Sequence, residues 1–173
     1  MVGVAADANP ESHDGPTEAD LTALRSFAAA LTEGILAALP GWVEGSVERL
    51  LVAYRGAATP EELARARDAG RQAAAEVGAK VQALLAADID DQRTNPLALV
   101  RSAVPYPTGV LREAGVPPVV RDGDAERRFP DDDYDLTPGA FSDLDPSLHE
   151  VGMRWGAAKA HVFLARRRAE QRV

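Results

Sequence analysis

Asp131, Asp133, Asp135 and Thr137 place an oxygen ligand at every second residue, the spacing of a calcium loop. The pattern departs from an EF-hand where that loop is strictest. Leu136 stands at the sixth position instead of the turn glycine, Pro138 follows, and Ser142 takes the twelfth position instead of a bidentate glutamate. A solvated acidic loop is the expected state, and no metal ligand is assigned. His149 and His161 fall twelve residues apart on one expected helix, about 18 Å along its axis, too far to chelate one ion. Lys159 follows Trp155 by four residues, which brings its ammonium within reach of the indole face. No GxSxG elbow, phosphate loop, dinucleotide fingerprint or HExxH spacing occurs, and the absence of cysteine excludes thiolate chemistry. No catalytic residue and no cofactor is therefore expected, which leans away from an enzyme.

The charge is concentrated. Asp122 to Pro146 holds nine carboxylates against Arg127 and Arg128, a formal −7 in a chain of −8. The stretch Arg154 to Arg172 directly after it carries a formal +5. An acidic connection beside a basic helix predicts that the two fold along each other and partly cancel. The net acidity argues against nucleic-acid binding. Residues 1–16 have neither a basic start nor an apolar core, so no secretory signal is read, and they suit a disordered tail that includes His13. The longest charge-free apolar run, Ile35 to Val43, is broken by Pro40-Gly41, so no membrane span is expected. A soluble cytoplasmic protein follows. Arginine outnumbers lysine 17 to 2, a bias of high-GC genomes.

The elements that must position these groups read as all-α. Thr17 caps a first helix whose apolar face, Leu21, Leu24, Phe27, Leu31, Ile35 and Leu39, ends at Pro40-Gly41. A second helix covers about Trp42 to Tyr54. Thr59-Pro60-Glu61-Glu62 is a capping box that opens a third helix to about Ala87. The seam of this third helix (Leu63, Ala66, Gly70, Ala73, Val77, Val81, Leu84) is mostly small residues, which suits close packing inside the chain, and is long enough to leave a homodimer through the N-terminal helices open. Residues 17–88 thus form an antiparallel three-helix bundle.

Asp88 to Thr94 reads as a linker. Residues 95–173 then form a second lobe of short helices, a long acidic loop over 122–146 and one long terminal helix. Asn95 caps a short helix through Ala103, and a helix from Thr108 ends at Gly115 in the left-handed capping position. The last helix spans Ser147 to Arg172. Gly152, Gly156 and Ala160 form a small-residue groove along it, able to receive a ring or a backbone.

The runs Asn95-Pro-Leu-Ala-Leu-Val-Arg, Tyr106-Pro-Thr-Gly-Val-Leu-Arg-Glu-Ala-Gly-Val-Pro-Pro-Val, Tyr134-Asp-Leu-Thr-Pro and Trp155-Gly-Ala-Ala-Lys-Ala resemble small uncharacterised actinobacterial proteins. The resemblance spans about the last 80 residues, implies that this part is a module, and carries over no functional residue.

Aromatic residues dot a proline-set loop on a helical scaffold, the kind of segment that carries recognition. The expectation is a non-catalytic interaction or regulatory module with a protein partner, binding through Tyr106, Phe129, Tyr134, Trp155, Lys159 and His161. The alternative is an enzyme or small-molecule binder with a pocket between the two lobes, lined by Tyr106, Tyr134, Trp155, Lys159 and His161.

Overall fold

The computed structural model describes residues 15–86 and 96–172. The expected linker at Asp88 to Thr94, the Asn95 cap and His13 lie outside them. All described secondary structure is helical. Long helices α1 (Glu18–Arg55) and α2 (Pro60–Ala86) form a packed hairpin, and α6 (Leu148–Glu170) packs on α1. Between the hairpin and α6 come α3 (Pro96–Val100), a 3-10 turn, α4 (Pro105–Glu113) and α5 (Gly123–Arg128).

Thr17 caps α1 as its type requires: the Asp20 amide donates to Thr17 Oγ1 at 3.1 Å, and the Thr17 amide donates back to Asp20 Oδ2 at 2.9 Å. The buried row Leu24, Ala28, Leu31, Ile35, Leu39, Val43, Val47 and Leu51 then keeps one phase along the whole helix. Pro40 lies inside it. The stop expected at Pro40-Gly41 does not occur, and the three helices expected over residues 17–88 are two. Proline removes one backbone hydrogen bond and costs about 3 kcal/mol in a helix interior. Burial of Val43, Val47 and Leu51 beyond it contributes about 1.5–3 kcal/mol each, which outweighs that cost.

The continuity of α1 also makes one long apolar helix of it. The 38-residue α1 is long and apolar enough, by length and composition only, to cross a membrane, with a mean hydropathy of 1.3 over an 18-residue window. Its apolar row is buried against α2, α6 and the short helices.

At the proline, α2 comes onto α1 backbone to backbone. A Cβ built on Gly70 would lie 2.6 Å from the Pro40 Cα and 2.9 Å from its carbonyl oxygen, so only glycine fits. The hairpin turn is held at both ends. Gly56, at φ 84°, closes α1 with its amide on the Val52 carbonyl at 2.8 Å. The capping box at Thr59 forms as read, with the Thr59 amide donating to Glu62 Oε2 at 2.9 Å and Arg55 pairing with the same carboxylate. These donors, the Thr59 amide first, hold the Glu62 carboxyl below its ordinary range.

Two apolar clusters lie along α1. One joins Leu31, Ile35, Leu39 and Val43 to Ala73, Val77 and Val81 of α2, to Val100 and Ala103, and to Leu144 and Leu148. The other joins Val47, Leu51 and Ala66 to Val104, Val110, Leu111, Val116, Tyr134 and Leu136. Both therefore take residues from the C-terminal half. That half follows its local signals, with shifted boundaries. α4 starts at Pro105 instead of Thr108, because Pro105 and Pro107 fall in its first turn, where a proline costs no hydrogen bond. Gly115 adopts φ 76° after it, as read. Asp122 caps α5 within what was expected to be loop, its Oδ1 accepting the Ala125 amide at 2.7 Å. Gly152 receives the Phe141 ring, where a Cβ would sit 2.6 Å from the ring edge.

The Gly70 contact and the open helix surface at Gly41 predict opposite outcomes for one substitution. Gly70→Ala is expected to destabilise by about 1–3 kcal/mol, since the clash is with backbone. Gly41→Ala meets nothing within 4 Å and is expected to stabilise by about 0.5–1 kcal/mol. Urea unfolding followed by tryptophan fluorescence measures both.

Candidate functional site

The acidic connection is organised by Asp132, which lies off the alternate-residue ladder. Its side chain is 3 % exposed. Oδ1 accepts the Leu136 amide at 2.8 Å, and Oδ2 accepts the Thr137 amide at 2.7 Å and the Thr137 hydroxyl at 2.6 Å. The chain reverses around this carboxylate, with Asp135 in the left-handed region at φ 54°, a conformation that aspartate tolerates better than most residues. Tyr134 and Leu136 turn into the second apolar cluster on either side.

Other carboxylates of the segment are also engaged locally. Asp133 pairs with Arg112 of α4 and holds that guanidinium strongly protonated, mainly through their hydrogen bond. Asp143 Oδ2 accepts the Gly139 and Ala140 amides at 2.8 and 2.9 Å. Asp145 accepts the Ser147 hydroxyl and amide, which lower its pKa in that order. Arg112 with Asp133 ties the segment to α4, and Arg127 with Asp124 is a pair within α5. Among the described residues, no group of three or more histidines and carboxylates is placed to hold a metal ion.

The six residues singled out for binding have separate places. Trp155 and Lys159 meet as expected, with Nζ 5.1 Å from the ring centroid on α6. The Tyr106 hydroxyl donates to Glu76 of α2, and this bond, ahead of burial, raises its pKa. Tyr134 is buried with its hydroxyl donating to the Val116 carbonyl at 2.7 Å, and burial raises its pKa. It acts as a core residue. His161 is exposed, with Nε2 3.3 Å from Asp20 Oδ1 at the start of α1.

Phe129 has the most informative surroundings. Two guanidiniums lie over its ring, Arg101 at 4.9 Å and Arg128 at 5.4 Å from the centroid, and its carbonyl accepts Arg121 Nη1 at 2.7 Å. The ring and both guanidiniums line a cleft of about 260 Å³ with Pro105, Pro130 and Asp131. Arg101 Nε is buried and finds no hydrogen-bond partner among the described residues. Arg101 escaped the sequence reading because its ring partner is 28 residues away. Its signal was a negative one: Leu97, Ala98, Val104 and Pro105 occupy the positions where a helical arginine finds its acid.

Two further cavities are lined by described residues. One of about 410 Å³ lies between Trp42, Ser46 and Arg49 of α1 and the loop at Asp135, Thr137 and Asp143. The other, of about 310 Å³, lies between α1 and α2 at Arg25, Thr32, Glu33, Leu36, Gln82 and Leu85. Of the six residues, Phe129 is the one found lining any of these three cavities.

The inward carboxylate and the ladder make different predictions. Asp132→Asn is expected to destabilise by about 1–3 kcal/mol, because it turns an acceptor of three bonds into a group with competing donors. Asp131→Asn, on the exposed ladder, is expected to stay within about 0.5 kcal/mol of the parent. Urea midpoints of the two variants measure the difference.

No family model matches the chain, and no curated protein or solved structure matches it either.

Proposed function

We propose that the chain is a non-catalytic interaction module that receives a carboxylate-bearing segment of a protein partner at the cleft around Phe129. The observation that carries this reading is the pair of guanidiniums on one ring. Arg101 and Arg128 both line the cleft, and among the described residues neither pairs with a carboxylate, in a segment crowded with carboxylates. A guanidinium held against an aromatic face is fixed in orientation and keeps its donors for an incoming acidic group. The platform beneath is firm: Asp132 ties down the turn, and the Val119 amide donates to the Asp133 carbonyl at 2.9 Å. Beside it the extended run Pro117 to Val120 leaves the Val120 side chain fully exposed, an apolar contact for the same partner. Tyr106, Tyr134 and His161, named for a small-molecule pocket, have their polar groups engaged elsewhere, which favours partner docking over that alternative.

The test is affinity recovery of the tagged full chain from its source cells, with identification of what co-purifies by mass spectrometry. A stoichiometric protein partner lost on Arg128→Glu and on Phe129→Ala, with unchanged circular dichroism, is the expected result. Recovery of the chain alone, or of a partner indifferent to both substitutions, would overturn the reading.

A further inference from the structure

The face of α6 turned away from α1 carries a pattern that the fold does not use. Leu148, Gly152 and Val162 are buried, and Val151 and Trp155 are half-buried against the first cluster. On the other side Met153 and Leu164 are 64 % and 50 % exposed, and Ala157 and Ala160 between them are exposed as well. The steps of four, three and four residues put these side chains in one row, with the spacing of a heptad seam. Glu150 precedes Met153 by three residues, and Arg167 follows Leu164 by three. The full row is Glu150, Met153, Ala157, Ala160, Leu164, Arg167, with intervals that read the same from either end.

Such a row is complementary to itself turned end for end. About a two-fold axis between positions 157 and 160, Met153 of one copy faces Leu164 of the other, Ala157 faces Ala160, and Glu150 faces Arg167, each contact made twice. The alanines at the centre let the two axes approach closely. The antiparallel setting also aligns the helix dipoles favourably. Charge decides the orientation: Asp143, Asp145 and Glu150 mark one end of α6, and Arg167 and Arg168 the other, so a parallel pair would set like charges together. The present contacts of these groups are weakly held. Glu150 pairs with Arg154 at an exposed site, and Arg167 lies 5.8 Å from the Phe163 ring.

We infer that the chain self-associates as an antiparallel two-fold dimer through the outer face of α6, with a second copy as the occupant. The dimer is independent of the Phe129 cleft. Its seam from Glu150 to Arg167 is about 26 Å long. One helix pair of that length covers less than the roughly 800 Å² per partner of a standard stable interface, so the association is weak and salt-sensitive.

Sedimentation equilibrium of the full chain at low salt, from micromolar to high-micromolar concentration, tests it. The parent is expected to dimerise, and Arg167→Glu to weaken the dimer by about tenfold. Adding Glu150→Arg to that variant is expected to restore most of the loss, a rescue that a merely misfolded variant would not show. The chain has no cysteine, so Met153→Cys mixed with Leu164→Cys is expected to form the crossed disulfide on oxidation. A monomer at the highest concentration, which leaves the face to some other partner, would overturn the inference. A dimer indifferent to Arg167→Glu, or Met153→Cys chains linking chiefly to themselves, would overturn it equally.

Discussion

The contact between Gly70 and the backbone of Pro40 is the constraint on which the rest of the structure depends. Pro40 weakens α1 at its middle, and α2 lies directly on that weak point because residue 70 has no side chain. The close approach seats Ala73 and Val77 against Leu39 and Val43 on one side and Ala66 beside Val47 and Leu51 on the other. Both apolar clusters thus flank one point of contact. In the C-terminal half α3 and α4 are short, and they are buried jointly by hairpin residues and by Val116, Tyr134, Leu136, Leu144 and Leu148 of their own half.

Much of this architecture is legible in the residues, and the failures share a cause. The Thr17 cap, the capping box at Thr59 and the left-handed Gly115 are local features that form as read, whereas of the small-residue groove on α6 only Gly152 receives a ring and Gly156 meets nothing within 4 Å. Pro40-Gly41 is a local stop signal overruled by tertiary packing. The deciding information was the unbroken phase of Ile35, Leu39, Val43 and Val47 across it, which a broken helix would not need. Within the acidic segment, alternate spacing pointed to Asp131, Asp133 and Asp135, whereas the chain turns on Asp132. Periodicity is informative only for regular backbone. Here the backbone reverses, and burial of Tyr134 and Leu136 decides which carboxylate faces inward. The sequence marks Phe129 and Tyr134 alike for binding, and separating core from surface between them requires the partners: Tyr134 closes a buried hydrogen bond, while Phe129 holds two arginines at a cleft.

The electrostatics follow from that local economy. Carboxylates of the acidic segment are consumed as caps and turn acceptors by backbone amides, which bind them at short range and with direction. A backbone amide carries no net charge, so this use leaves cationic groups near the segment uncancelled. Arg101 and Arg128 at the Phe129 ring stand in that position, and the cleft argued above draws on it. A chain of formal charge −8 thereby presents local cationic sites.

The central claim is that the acidic connection is a fixed part of the fold and serves as a platform. Amide hydrogen exchange resolved to single residues tests it most directly. The Leu136 and Thr137 amides, bound to the buried Asp132, and the Val119 amide, bound to Asp133, are expected to exchange as slowly as amides within α4. Exchange of these three at the rate of an unstructured chain, while α1 and α2 remain protected, would contradict the account.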